Sequence, residues 1–418
     1  MILKDVLRGI VRSQREALLS MDGGVKREAF KKIVLNSPFA ITLSGVRRCG
    51  KSTLLKQISR KLDTFYYFNF EDPRLAAFEV EDFQKLNEVF EEEFGKCDYY
   101  LLDEIQNVKG WELFVRSMLD RGGRFVITGS NASLLSRELG TRLTGRHIRY
   151  ELFPFSFREF LSFNKFRPDE SSFSDYLSRG GFPDYLRFTR PDVLQELLND
   201  VIARDIIVRR GIRNVKVVKE LAIYLITNIG KEFSYNALKK LFMLGSVNSA
   251  INFVSSLEES YLLFTVPRFD YSLKSQIVNP KKIYCIDNGL AVVNSASFSE
   301  DRGRLLENVV FLELRRRHKE IFYFRGNGEC DFLVKEAGKI VDAVQVCWEL
   351  NSDNTKHELE GLQEAAIKSG LKRGLVLTFS QEDKLDYEGI HVDVLPVWKW
   401  MTSLAAKNSD IDGKKGKY

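Results

Sequence analysis

The sequence predicts an α/β protein: a parallel sheet with helices on both faces, then a helical segment, a smaller domain of helices and a hairpin, and a second α/β unit. Three observations predict it. Short β-rich runs alternate with helical patterns from about residue 38 to 152, a glycine-bearing loop joins the first of these strands to the next helix, and the alternation stops after residue 155 and resumes near 300.

The first 30 residues begin with an amphipathic helical pattern, MILKDVLRGIVRSQREALLS. Residues 31–155 follow as FAITLSG, KSTLLKQISRKL, TFYYFNF, VEDFQKLNEVFEEEF, DYYLLDE, WELFVRSMLDRGG, RFVITGS, NASLLSREL and HIRYELF. Such βα alternation closes a parallel sheet, whose ligands sit at the carboxyl ends of its strands. Residues 156–214 read as a helical lid or connector, broken at RGGFPDY, where Gly180, Gly181 and Pro183 force a turn. Residues 215–295 carry three helical patterns and the hairpin-like LFTVPRFDYSLKSQIVNPKKIYCID, a winged-helix-like order. Residues 296–402 run helix, strand, strand pair, helix, strand, strand. The tail, 403–418, is polar and rich in Gly and Lys, and is read as disordered.

At 418 residues, with 44% hydrophobic and 29% charged residues, the chain is long enough for several cores and too apolar to be a disordered one. Its net charge of +6 permits contact with nucleic acid without arguing for it. The five cysteines, Cys49, Cys97, Cys285, Cys330 and Cys347, form no CxxC pair and suit free thiols in a reducing cytosol. Lys4, Arg8, Arg12 and Arg15 interrupt the N-terminal apolar run, and no stretch approaches the roughly 20 apolar residues of a membrane span. The expectation is a cytoplasmic protein without a membrane partner. His147, His318, His357 and His391 show no metal-ligand spacing, and none is assigned a role.

Chemistry is concentrated in the first α/β region. GVRRCGKS, Gly45–Ser52, fits GxxxxGK[ST] between an apolar strand and a helix, the context a P-loop requires. The nucleotide-binding set is Gly45, Val46, Arg47, Arg48, Cys49, Gly50, Lys51, Ser52 and Thr53: backbone N–H groups cradle phosphates, Lys51 reaches the β- and γ-phosphates, and Ser52 ligates Mg²⁺. YYLLDE, Tyr99–Glu104, ends a strand in two carboxylates. Asp103 fits the metal ion, and Glu104 fits the activation of water, which makes hydrolysis the expected reaction. RFVITGSN is read as a strand between these two, with Asn131 or Ser130 sensing the γ-phosphate. TRLTGR supplies Arg146, with Arg142 in reserve, for transition-state charge on the same or a neighbouring subunit.

With these motifs, PFSFREF, GGFPDYL, ARDI, DNGL, LLENVVFLELRRR and CDFLV complete a pattern that spans nearly the whole chain. It resembles a family of prokaryotic AAA-like ATPases that carry a C-terminal domain of unknown function. The resemblance implies a P-loop NTPase sheet with an extra strand beside the P-loop strand, ATP as the nucleotide, and Glu104 as the catalytic carboxylate. It also implies that residues 296–402 are similar to the restriction-endonuclease fold, whose sites combine a helix Glu, a strand Asp and a following Glu-x-Lys. Glu307 and Asp331 match the first two. Gln345 and Cys347 stand where the last acid and the lysine belong, and a thiol does not replace the ammonium that stabilises phosphorane charge.

In the winged-helix-like region, SVNSAINFVSSLEESYLL offers Asn248, Ser249 and Asn252 but no Lys or Arg, and Glu258 and Glu259 repel phosphate. Lys274, Lys281 and Lys282 on the wing suit a DNA backbone, and the helix suits a protein-contact surface equally well. The run ELRRRHK is read as a solvated helix face. The function expected is a Mg²⁺-dependent ATPase that couples nucleotide state to a DNA-binding or regulatory module. The alternative is an ATP-controlled protein-binding switch, with a protein partner or a second copy of the chain. An ATP-dependent nuclease is the third reading, and the missing lysine weighs against it.

Overall fold

The computed structural model describes residues 2–130, 145–208, 210–212, 214–296 and 301–403. Two compact units emerge: Met1–Phe153 with Glu259–Tyr261, and Pro154–Glu258 with Leu262–Tyr418.

The first unit is built on five parallel strands, β1 (Ala40–Ser44), β2 (Tyr66–Asn69), β3 (Tyr99–Asp103), β4 (Arg124–Gly129) and β5 (His147–Glu151), in the order β2-β3-β4-β1-β5. All five residues of β1 are buried, as expected of a strand covered on both faces. β4 lies between the P-loop strand and the strand that ends in Asp103, so the extra strand stands where the family resemblance places it. The helices Lys51–Ser59, Asp82–Phe94 and Trp111–Asp120 complete the βα units.

The helix Lys4–Ser20 belongs to this unit's core. Its Leu7, Ile10 and Val11 bury into one cluster with Phe68, Phe83, Leu86 and Phe90. Its Gln14 closes the free edge of β2, accepting from Asn69 N at 2.8 Å and donating to Asn69 O at 3.0 Å. An edge strand with its backbone so engaged offers less to a stray partner.

The second unit opens with the helices Phe157–Asn164, Glu170–Arg179, Pro183–Phe188 and Pro191–Asp200 and the wider-wound turn Val201–Val208. The break expected at Gly180 and Gly181 is a docking point. Gly181 N donates to Asp287 Oδ2 at 2.6 Å, and a side chain on Gly181 would meet the Phe155 carbonyl. Asp287 also caps the helix Asn288–Asn294 through Leu290 N at 3.0 Å, and Gly289 packs on the Arg179 carbonyl. Two motifs 106 residues apart, GGFPDY and DNGL, are thus halves of one joint.

Three helices follow, Val215–Thr227, Tyr235–Leu241 and Val247–Glu259, with a small sheet of β6 (Glu232–Phe233), β7 (Leu263–Pro267) and β8 (Lys281–Cys285) in the order β6-β8-β7. The expected hairpin carries an insertion, the helix Leu273–Val278. Beyond the helix Arg302–Arg315 lies a six-stranded mixed sheet of β9 (Glu320–Arg325), β10 (Glu329–Glu336), β11 (Lys339–Val346), β12 (Arg373–Thr378), β13 (Asp383–Tyr387) and β14 (Ile390–Pro396), ordered β13-β14-β12-β11-β10-β9. The helix Thr355–Lys368 covers one face through Leu359, Leu362, Ala365 and Ala366. The run ELRRRHK departs from its expected solvated role. Glu313 is buried, and Arg158, Arg316 and Arg317 converge on it, because an enclosed carboxylate requires cationic partners.

Candidate functional site

Gly45–Ser52 wraps from the carboxyl end of β1 into the helix Lys51–Ser59. Gly45 has no room for a side chain: an added Cβ would stand 2.1 Å from the Leu152 carbonyl oxygen. Gly50 caps the helix at φ 98°, the left-handed region that glycine enters without steric cost. Arg48 shares that region at φ 59°. Val46 and Cys49 are buried, and burial raises the Cys49 thiol above its ordinary pKa, which makes it a packing group rather than a nucleophile. Arg47 pairs with Glu71 at 2.9 Å.

Lys51 is 5% exposed. Its ammonium lies 3.2 Å from Gly45 O, 3.3 Å from Val46 O and 3.3 Å from Glu104 Oε1. Burial works against its charge, yet Glu104 and then Asp103 hold its pKa above the usual lysine value. Glu104, at φ 50°, is pushed up by burial but drawn lower by Lys51, by a hydrogen bond from Gln106 and by Arg47, and ends below the ordinary carboxylate range. Asp103 moves the other way. Burial and the adjacent Glu104 charge raise it, against hydrogen bonds from Ser52 and Thr128. Two adjacent carboxylates thus have opposed proton affinities, the usual mark of divided roles.

Thr128, at the end of β4, joins them. Its hydroxyl donates to Asp103 Oδ1 and accepts from Glu104 N at 3.0 Å. Tyr67 donates to Asp103 Oδ2 at 3.5 Å. Arg27, buried, donates to the carbonyls of Cys49 and Phe153 at 2.6 Å each, tying the loop to the segment that follows β5. Thr128 sits two residues before Ser130 and three before Asn131, the two sensor candidates, and is signalled by its place at a strand end. A single arginine in VKREAF carries no such signal.

Residues 37–161 match the AAA domain family, residues 170–300 a domain of unknown function (DUF8612), and residues 302–400 another (DUF4143). Uncharacterized protein MJ1544 of Methanocaldococcus jannaschii is 34% identical over 391 residues, covering 85% of this chain and 86% of its own. The chain belongs to this family of AAA-domain proteins. An uncharacterized protein of Haemophilus influenzae is 30% identical over 389 residues, covering 87% and 94%. Among solved structures, AMPPCP-bound DnaA from Aquifex aeolicus is similar at 15% identity and a TM-score of 0.26, covering 62% of this chain and 90% of that one.

Within the AAA domain, Gly45–Thr53, Asp103 and Glu104 come together as the motifs imply. Asn131 and Arg142 lie outside the described residues, as does the expected helix NASLLSREL; Ser130 is buried at the end of β4. Arg146 does not join the site of its own chain. β5 runs parallel to β1 with His147 opposite Ala40, so Arg146 stands at the amino edge of the sheet, roughly 20 Å from Gly45 at about 3.3 Å per residue. It pairs there with Asp120.

In the second unit, Glu307, Asp331 and Gln345 converge, and Cys347 is buried with its thiol pushed up to about 12. No lysine stands at Cys347, but an ammonium reaches this cluster from another strand. Lys282, assigned to an exposed wing, is buried and pairs with Glu307, Glu329 and Asp331. β8 is the central strand of its sheet and turns this side chain inward, away from any DNA backbone. Burial opposes the Lys282 charge, but the three carboxylates hold its pKa well above the usual value, and burial raises Glu307 to about 7. Among the described residues no helix is long and apolar enough to cross a membrane.

Proposed function

We propose that the AAA domain binds ATP with Mg²⁺ and hydrolyses it to ADP and phosphate, and that the nucleotide state governs the second unit as a regulatory module. The observation that carries the reading is the Lys51–Glu104 pair, 3.3 Å apart and buried between a P-loop and a strand-end carboxylate. Loop amides of Gly45–Thr53 hold the phosphates, and Lys51 leaves Glu104 for the β- and γ-oxygens. Glu104 then loses its principal counter-charge, its proton affinity rises, and it takes the proton of the attacking water. Asn131 senses the γ-phosphate, and Arg146 serves a site across a subunit boundary.

Ser52 and Asp103 fit a magnesium ion. They are hard oxygen donors already linked by a hydrogen bond beside the phosphate cradle. The ion would neutralise charge between the β- and γ-phosphates.

Charge placement favours a protein-binding switch over a DNA-binding module. The helix Val247–Glu259 has no Lys or Arg, Glu258 is engaged by Thr265 N at 2.9 Å, and Lys282 is buried. Phosphate release by wild type and Glu104→Gln, with and without duplex and single-stranded DNA at two salt concentrations, tests both parts. Wild-type hydrolysis lost in Glu104→Gln supports the ATPase. Stimulation by DNA, steeper at low salt, would reinstate the DNA-binding reading.

A further inference from the structure

The acidic cradle of the second unit is filled from within. Lys282 Nζ lies 2.7 Å from Asp331 Oδ1, 2.7 Å from Glu329 Oε1 and 3.1 Å from Glu307 Oε1, and the side chain is 3% exposed. Two of the ammonium's N–H donors are hydrogen-bonded, to Glu307 and Asp331, and Glu329 closes on the same charge as an ion pair. The other contacts complete the set. Tyr284 donates to Glu307 Oε1 at 2.6 Å, Val346 N to Asp331 Oδ2 at 3.0 Å, Arg325 stands 3.7 Å from Glu329 Oε2, and the Tyr323 ring lies 5.8 Å from the ammonium.

The carboxylates come from the helix Arg302–Arg315 and from β10, whereas the lysine comes from β8 in the other sheet. Its position is between the acids, at the point where their charges converge. An ammonium that served a phosphodiester beside a bound metal would face the substrate, whereas this one is enclosed, 3% exposed and hydrogen-bonded to Glu307 and Asp331.

We infer that Lys282 is the resident cation of this cradle: its ammonium takes the place of a divalent ion, balances Glu307, Glu329 and Asp331, fastens the three-stranded sheet to the six-stranded one, and closes the cradle to metal-dependent phosphodiester cleavage. The inference is independent of the nucleotide site. It also reassigns the departure at Cys347, since the cation is supplied by a different strand.

The test uses the full-length, nucleotide-free chain as wild type, Lys282→Met, Asp331→Asn and the double variant, read by thermal unfolding and by Mn²⁺ binding in electron paramagnetic resonance. Lys282→Met strands the enclosed carboxylates of Asp331 and Glu307 beside the part-exposed Glu329 and is expected to lower Tm by about 5–10 °C. The double variant removes one of those charges and is expected to recover about half of the loss. Wild type is expected to bind no Mn²⁺ that Asp331→Asn abolishes. A double variant no more stable than Lys282→Met overturns the inference. So does Mn²⁺ binding by wild type that Asp331→Asn removes; nicking of supercoiled DNA in the same sample would then identify a nuclease. If Lys282→Met does not fold, the double variant decides: a folded protein supports the inference and an unfolded one refutes it.

Discussion

The Lys51 ammonium and the Glu104 carboxylate form a buried ion pair, with only 5% and 11% of their side chains exposed. Each is the other's main source of favourable charge, so neither is free for chemistry until a competing anion arrives. Phosphates of a nucleotide are that anion. Glu104→Gln is therefore expected to retain nucleotide affinity while losing roughly 10²–10⁴-fold in kcat, the range for a lost general base. Lys51→Ala is expected to lose affinity itself. Phosphate release beside titration of a fluorescent ATP analogue separates the two, and a Glu104→Gln enzyme with wild-type turnover would refute the assignment.

Thr128 uses one hydroxyl to hold both acids, donating to Asp103 and accepting from Glu104 N. Thr128→Val keeps the shape and leaves a buried N–H and a carboxylate oxygen short of partners, at about 1–3 kcal/mol. The expected outcome is a lower Tm together with a kcat loss exceeding any change in KM. Equal turnover in Thr128→Val and wild type would show that the hydroxyl is not needed to orient the acids.

Gly45→Ala places a methyl group 2.1 Å from the Leu152 carbonyl oxygen, and neither partner is a flexible side-chain end. The loop must shift, and its amides with it. Nucleotide affinity is expected to fall at least ~10-fold, a cost of about 1.4 kcal/mol, while the second unit unfolds as in wild type. Calorimetric titration checks the first expectation, and a scanning trace with separate transitions checks the second.

The AAA domain was legible because its signals are local. Strands buried on both faces read as unbroken apolar runs, and a P-loop is eight consecutive residues with a strand before and a helix after. Register is not local. LTGR followed by a strand says nothing of which sheet edge Arg146 will occupy; that depends on His147 pairing with Ala40. Lys282 is the sharper case. It lies 25 residues from Glu307 and 49 from Asp331, and only the packing of two sheets decides that a lysine before IYCID turns inward. The helix Leu273–Val278 was hidden for another reason: at six residues it is too short to display a periodicity.

Asp287 ties a structural joint to pH. It is buried, accepts from Gly181 N and Leu290 N, and burial raises its pKa from 3.8 to about 6 despite those bonds and the Arg316 charge. A carboxyl whose folded pKa exceeds its unfolded value binds more protons in the native state. Its contribution is therefore fully present below about pH 4 and is lost as pH rises through about 6, by roughly 3 kcal/mol. Asp287→Asn keeps an acceptor oxygen and removes the titration. The difference in unfolding free energy between wild type and Asp287→Asn, followed by urea denaturation, is expected to shift in favour of the variant from pH 4 to pH 6.5 and then level off. A difference that stays flat across this interval would mean that the carboxyl keeps its ordinary proton affinity in the fold, and that the Gly181 and Leu290 amides fully offset its burial.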